Sequence, residues 1–207
     1  MLTCWNIYGP LMPDARELTP CEKKCEMASK TIKGGCVQMK EPQKKELIDF
    51  LNRSWMTHDA LWFKECLKEN GIEKTNRINR AAIRSLAPRE VKRMKRFLGM
   101  GTDDISTFEE FKKFFEGARE LCIPDFMNGD FSFPRKNILH WECKPKECFA
   151  YKGMSALGVV DKYECGVIYR VQCWIESLGI EFEVEPEIKG CLMAQGKNCE
   201  GYFKLHF

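Results

Sequence analysis

Cysteine is the residue type most able to do chemistry in the last third of this 207-residue chain. Thiolates are soft ligands that suit zinc or iron–sulfur clusters, and four of them fill every position of a tetrahedral zinc site. Such a closed site would stabilise the fold, because no position remains for activating water. The alternatives are buried reduced thiols and disulfides. Six of the twelve cysteines lie in this last third: Cys143, Cys148, Cys165, Cys173, Cys191 and Cys199.

His58 is the candidate for acid–base catalysis, because imidazole titrates near neutral pH. It falls between Trp55 and Trp62 on an apolar helical stripe, so the spacing predicts that it points into a core or a pocket. The alternative is a core histidine that is satisfied by a backbone carbonyl. Asp59 points about 100° away on a helix, which predicts a surface charge or a link between helices.

The aromatic residues indicate where a small apolar or aromatic ligand would bind. We expect a pocket between the helices and a sheet, lined by Trp55, His58, Trp62 and Trp141. His140 lies beside Trp141 on a predicted strand that leads to Cys143. It is therefore a candidate to support a metal ligand or to replace one.

These side chains must be positioned by a helical layer that the apolar spacing predicts over residues 41–124. The first helix, Glu41–Asn70, carries the stripe Leu47, Leu51, Trp55, His58, Trp62 and Cys66 and ends at Gly71. Two more helices follow at Lys74–Leu86 and Arg89–Leu98, with Pro88 in the first turn of the latter. A capping box from Ser106 to Glu109 opens a fourth, Thr107–Leu121. The side chains of this helix that are predicted to face inward are Phe108, Phe111, Phe114, Phe115 and Ala118.

After Pro124 the pattern changes to short alternating segments. Strands are predicted at Asp125–Phe133, Asn137–Glu142, Ile180–Val184 and Gly201–Phe207, with helices at Phe149–Leu157 and Tyr163–Leu178. Helices followed by mixed strands and helices predict an α+β fold, with the helical layer packed on an antiparallel sheet and a cysteine metal site near the C-terminus. Residues 41–207 would form one ligand-binding domain, of which residues 125–207 are the metal-stabilised α/β part.

Residues 1–40 form a separate N-terminal extension in which three prolines interrupt any regular pattern. Its cysteines are Cys4, Cys21, Cys25 and Cys36, and their spacing departs from that of standard zinc fingers. Two interpretations stay open. The first is an upstream extension or a misassigned start, and the second is a second metal or iron–sulfur site.

The net charge and the lack of a visible targeting signal argue against some classes of partner. The net charge is +3, with 33 basic and 30 acidic residues mixed along the chain, which argues against nucleic acid or a membrane surface as partner. No secretory signal and no membrane-spanning run is visible. We therefore expect a cytoplasmic protein with reduced cysteines.

Two stretches resemble known families. Glu187-x3-Cys191-x4-Gly196-x2-Cys199 and the strand that follows resemble the end of 4-vinyl reductase domains, which are small α/β ligand-binding domains of tetrapyrrole-pathway proteins and aromatic-sensing regulators. Ser54–Phe63, with Gly71–Asn79 and Ala81–Leu86, resembles an uncharacterised prokaryotic family grouped with L-2-amino-thiazoline-4-carboxylic acid hydrolase-like proteins. The resemblance covers residues 41–207 and implies a homodimer.

The resemblance also implies a ligand set. Its cysteine positions fall on Cys143, Cys165, Cys191 and Cys199. The zinc-bearing sensors match only the last three and use a glutamate where this chain has Ile188. Glu187, one place away, is therefore an alternative to Cys143, and Cys148 and Cys173 are possible substitutes.

Three functions follow as predictions. The first is a cytosolic, metal-stabilised protein of sensor or carrier type that binds a small molecule. The second is a hydrolase or a tetrapyrrole- or aromatic-modifying enzyme that uses His58 as acid or base. The third is an iron–sulfur accessory protein.

Overall fold

The computed structural model describes residues 43–101 and 104–207. Four helices and four strands follow in chain order: α1 (Lys44–Phe97), α2 (Phe108–Cys122), β1 (Gly129–Ser132), β2 (Ile138–Cys143), α3 (Phe149–Ala156), α4 (Gly166–Ser177), β3 (Glu181–Glu185) and β4 (Cys199–His206). Helices packed on an antiparallel sheet confirm the predicted α+β class. Cys4, Cys21, Cys25 and Cys36 lie outside the described residues.

Helix α1 replaces the three helices predicted over residues 41–98. It begins with a capping box between Gln43 and Glu46 and bends at Gly71, whose φ of 72° and ψ of 170° interrupt the helix. Only glycine adopts such a backbone conformation without strain. Pro88 lies inside the helix instead of opening a new one. The neighbouring Ala87 and Val91 are buried, and this packing keeps the helix intact across the proline.

The first half of α1 buries a different face from the predicted one. Leu51 and Trp62 are both 55% exposed, and His58 is also exposed. The buried positions are Asn52 and Phe63. Asn52 donates a hydrogen bond of 2.9 Å to the carbonyl of Leu121 near the end of α2, where carbonyls have no partner within their own helix.

Helix α2 confirms the prediction for its core residues, since all five predicted inward side chains are buried: Phe108, Phe111, Phe114, Phe115 and Ala118. Its capping box lies one residue later than predicted. Thr107 accepts from the backbone N–H of Glu110, whose carboxylate accepts in turn from the Thr107 N–H. The hydroxyl of Thr107 therefore serves as the cap.

The sheet has the strand order β1-β2-β4-β3, and all of its neighbours are antiparallel. Its inner face carries Leu139 and Trp141 of β2 opposite Phe203 and Gly201 of β4. These four residues are buried and pack against the helices. One pair further along, Cys143 lies opposite Cys199 on the same face, because side chains alternate between faces along a strand.

The long contact between α1 and α4 forms the other half of the interior. Gly166 lies so close to α1 that a Cβ there would be 3.0 Å from the Asn79 amide and 3.1 Å from the Ile83 side chain. Within the described residues, no helix has both the length and the apolar character needed to cross a bilayer.

Asn76 of α1 holds the segment that leads into α4. Its buried amide donates 2.8 Å to the carbonyl of Lys162 and accepts from the N–H of Glu164 at 3.3 Å. Both backbone groups would lose their partner if the amide were removed.

We expect Asn76→Ala to lower the free energy of unfolding by about 1–3 kcal/mol, the usual cost of leaving buried polar groups unpaired. Urea denaturation measures the loss. Asn70→Ala is the control, because the amide of Asn70 reaches only the carbonyl of Cys66 in its own helix. Equal losses in the two variants would contradict the bridging role of Asn76.

Candidate functional site

Five thiols from separate elements meet at one end of the sheet. Cys143 ends β2, Cys148 precedes α3, Cys165 precedes α4, Cys191 lies in the loop after β3 and Cys199 begins β4. Four of them line a cavity of about 20 Å³: Cys148, Cys165, Cys191 and Cys199. This volume holds about one water-sized body.

Three of these thiols accept backbone hydrogen bonds from the residues two and three places later in the chain. The donor pairs are Ala150 and Tyr151 for Cys148, Val167 and Ile168 for Cys165, and Met193 and Ala194 for Cys191. Such N–H groups stabilise the thiolate and lower its pKa. Burial opposes them, and it dominates at Cys165, whose pKa rises to about 12, and at Cys191, whose pKa is also raised.

Cys143 differs from the other four thiols. Its hydrogen bonds with Cys148 and Cys199 raise its own pKa. The same bonds lower the pKa of Cys148 to about 6 and that of Cys199 below its usual value. Cys143 therefore keeps its proton and donates to its neighbours. It does not line the small cavity.

Trp141 brings a buried donor to the cluster. Its side chain is fully buried and its Nε1–H makes no regular hydrogen bond, yet it lies beside Cys199 and lowers the pKa of that thiol. The indole packs on Gly201, where a Cβ would be 2.5 Å from the ring. A thiolate at Cys199 would satisfy this otherwise unpaired N–H.

The other predicted metal ligands lie elsewhere. Cys173 is buried on α4, where the Tyr169 hydroxyl lowers its pKa against the larger effect of burial. Glu187 pairs with Lys189 at 3.0 Å on the surface. His140, the candidate to support or to replace a metal ligand, lies on the face of the sheet opposite to Cys143, 3.4 Å from the Ser132 hydroxyl. In the part of the chain that is described, no group of three or more His, Cys, Asp or Glu side chains is arranged to hold a metal ion.

A larger cavity of about 260 Å³ lies next to the thiols, between α1, α3, α4 and the sheet. Its walls are mainly apolar and aromatic, and they include Trp55, Phe63, Phe131, Phe149, Met154 and Trp174. Cys143 and Cys148 belong to its wall as well, so the cavity and the thiol cluster share residues.

Only one of the four predicted pocket residues lines this cavity. Trp55 does so, whereas Trp141 is in the core. His58 and Trp62 face solvent on the opposite side of α1 from the buried Phe63. The predicted inward position of His58 is therefore wrong, because the first half of α1 packs through its other face.

Arg170 and Asp59 are the charged residues of the cavity wall. The Arg170 guanidinium pairs with Glu90 through Nε, at 3.0 Å, and through Nη2, and both partners are largely buried. Trp174 donates to the same carboxylate at 2.9 Å. Burial raises the pKa of Asp59, while Arg170 and His58 act in the opposite direction.

Sequence reasoning missed Asp59 and Arg170 as members of the cavity wall, whereas it named Cys148 as a possible substitute ligand. A local signal existed for Asp59, because the residues three and four places away are all apolar: Trp55, Met56, Trp62 and Phe63. A charge with such neighbours lies at the edge of an apolar helical face. Arg170 offered no comparable signal.

A second concavity of the described residues is larger than this cavity. An open groove of about 1,100 Å³ is lined by charged side chains of α1, α2 and the sheet. Several of its charges are already paired within the chain, as in Lys44–Glu120 at 2.8 Å and Lys45–Asp125 at 2.9 Å. The smaller apolar cavity is therefore the better candidate for a ligand site.

Comparisons with known proteins add one finding. Residues 38–117 match the model of a family of unknown function (DUF6125). The match spans less than half of the chain and covers α1 and the first part of α2. No curated protein and no solved structure matches the chain significantly. The resemblance to 4-vinyl reductase domains therefore stays a prediction.

Gly201→Ala tests the packing that places Trp141 beside Cys199. We expect it to lower the free energy of unfolding by about 1–3 kcal/mol, because the added methyl group overlaps the indole and the Glu185 carbonyl. Urea denaturation followed by tryptophan fluorescence measures the change. Gly153→Ala in α3 is the control, since its Cβ would meet no atom within 4 Å and alanine favours the helix. A larger loss for Gly153→Ala would contradict this packing argument.

Proposed function

We propose that this chain is a cytosolic, metal-stabilised protein that binds a small apolar or aromatic molecule, as a sensor or carrier does. The observation that carries the proposal is the cavity of about 260 Å³ with aromatic walls. Ligand sites are typically concave and largely apolar, with a few polar groups that orient the ligand. This cavity has such a composition, because Asp59, Asn79 and Arg170 are among its few polar wall residues.

The size of the cavity sets the size of the ligand. A water molecule occupies about 30 Å³ in the liquid, so the cavity accommodates on the order of ten heavy atoms. One aromatic ring with a short side chain has this size. Aromatic side chains of the wall, such as Phe131 and Phe149, suit contact with such a ligand.

The metal part of the proposal rests on the thiol cluster. Cys148, Cys165, Cys191 and Cys199 surround the small cavity, and each has an N–H group that stabilises a thiolate. Four thiolates are the donor set of a structural zinc site. We therefore place Cys148 in the set where the resemblance implies Cys143. Because the described residues hold no group of three or more side chains already arranged around a metal, metal binding would have to draw the four sulfurs together around the ion.

A bound zinc would join four elements that are far apart in sequence. The residues that hold it precede α3, precede α4, follow β3 and begin β4. Its role would be to tie these segments together beside the ligand cavity, because all ligand positions come from the protein. The thiols would then contribute no reaction of their own.

Zinc analysis of the anaerobically purified chain and its cysteine variants tests this set. We expect Cys148→Ser, Cys165→Ser, Cys191→Ser and Cys199→Ser each to lose about one zinc per chain, because each removes a ligand of a closed site. Cys173→Ser, which changes a buried thiol outside the cluster, is the control and keeps the zinc. Loss in Cys143→Ser with retention in Cys148→Ser would restore the set that the resemblance implies. Visible absorbance with bound iron would instead indicate an iron–sulfur cluster.

A cavity-filling variant tests the ligand site. Gly153 lines the cavity and has open space at its Cβ position, so Gly153→Leu should fold and occupy part of the volume. We expect neutral fluorinated aromatic compounds that bind the parent chain, measured by ¹⁹F NMR, to lose about tenfold or more in affinity.

Ser155→Leu is the matched control, because it adds the same side chain at an exposed position of α3 outside the cavity wall. Equal affinities in all three proteins would show that these compounds bind elsewhere. The proposal would then be wrong for this cavity.

The enzyme alternative has less support. It depends on His58 as acid or base, and His58 lies on the solvent side of α1, outside the wall of this cavity. The homodimer that the resemblance implies stays a prediction.

A further inference from the structure

Asp59 is the charged group of the cavity wall for which the described residues supply no hydrogen bond and no ion pair. The charges of Arg170 and His58 act on it from nearby and oppose the rise in its pKa that burial causes. Its helical neighbours at three and four residues are apolar, so no lysine or arginine on its own helix can reach it. Asp59 is exposed to solvent and also lines the cavity, so it lies at the mouth of the cavity.

The positive charge of Arg170 is already compensated by an ion pair within the protein. Its Nε and Nη2 bind Glu90, and its guanidinium stacks on Trp55 with its carbon 4.4 Å from the ring centroid. Glu90 is held further by Trp174. Arg170 and Glu90 together carry no net charge, so Asp59 is the charge of the cavity wall that no ion pair compensates among the described residues.

We infer that the cavity recognises an aromatic or apolar molecule that carries one basic nitrogen, with the ammonium group at Asp59 and the apolar body against the inner aromatic wall. A cation at the mouth would compensate the unpaired carboxylate. An anionic ligand would be repelled by Asp59 and would find the Nε and Nη2 donors of Arg170 occupied by Glu90. The apolar part would contact residues deeper in the wall, such as Phe131, Phe149 and Met154.

This inference rests on the proposed ligand-binding function and narrows it to a class of ligand. Three probes of nearly equal shape separate the two claims: phenethylamine is a cation at neutral pH, phenethyl alcohol is neutral and hydrocinnamate is an anion. Calorimetric titration of the full chain with each probe gives the three affinities. We expect phenethylamine to bind about tenfold more tightly than phenethyl alcohol, because it adds a partly buried charge pair. Hydrocinnamate should bind most weakly.

Asp59→Asn keeps the shape of the side chain and removes its charge. We expect it to lower the affinity for phenethylamine about tenfold and to leave that for phenethyl alcohol within about twofold. Asp49→Asn is the matched control, because Asp49 lies on the same helix outside this cavity and pairs with Arg53. It should change neither affinity.

Each outcome decides between the two claims. If phenethyl alcohol binds as tightly as phenethylamine, or if Asp59→Asn keeps the preference for the amine, the inference is overturned. The proposed function survives in both cases, provided that Gly153→Leu weakens the binding. If none of the three probes binds the parent chain, the inference fails together with the proposed cavity.

Discussion

The close approach of α4 to α1 at Gly166 is the contact on which both candidate sites depend. A side chain there would meet Asn79 and Ile83 of α1, so glycine allows the two helices to pack together. The residue before it, Cys165, belongs to the thiol cluster. One turn later, Arg170 reaches Glu90 on α1. A displaced α4 would move the Cys165 sulfur away from its neighbours and open the cavity.

The buried polar groups of this interface orient α4 more than they stabilise the fold. A buried ion pair such as Arg170–Glu90 gains little net free energy, because both groups lose their hydration. Its strict geometry, however, sets the rotation of α4 relative to α1 and places the guanidinium against Trp55. The same rotation turns Trp174 towards Glu90. Asn76 has a comparable role at the start of α4, where it satisfies the backbone of the preceding segment.

Opposite physical effects act on the thiols, and their balance fits the metal proposal. Burial disfavours a thiolate, while backbone N–H groups and the Trp141 indole favour it. Burial prevails at Cys165 and Cys191, whose pKa values are raised. A metal cation would supply the missing positive charge, since a coordinated thiol is deprotonated. A bound cation would therefore offset the cost of burying these thiolates, which the N–H groups offset only in part.

By itself, the sequence determined what depends on neighbours along the chain. The phenylalanines of α2 recur with a helical period, so their burial was predicted correctly. The first half of α1 is apolar on two sides, with Ile48, Met56 and Phe63 on one and Leu47, Leu51 and Trp62 on the other, and periodicity cannot choose between them. Tertiary packing chose the first side and left His58 in solvent. Tertiary structure also decided which cysteines lie together. The register of β2 with β4 and the packing of α4 against α1 bring together cysteines that are far apart in the sequence, so local spacing cannot predict the cluster.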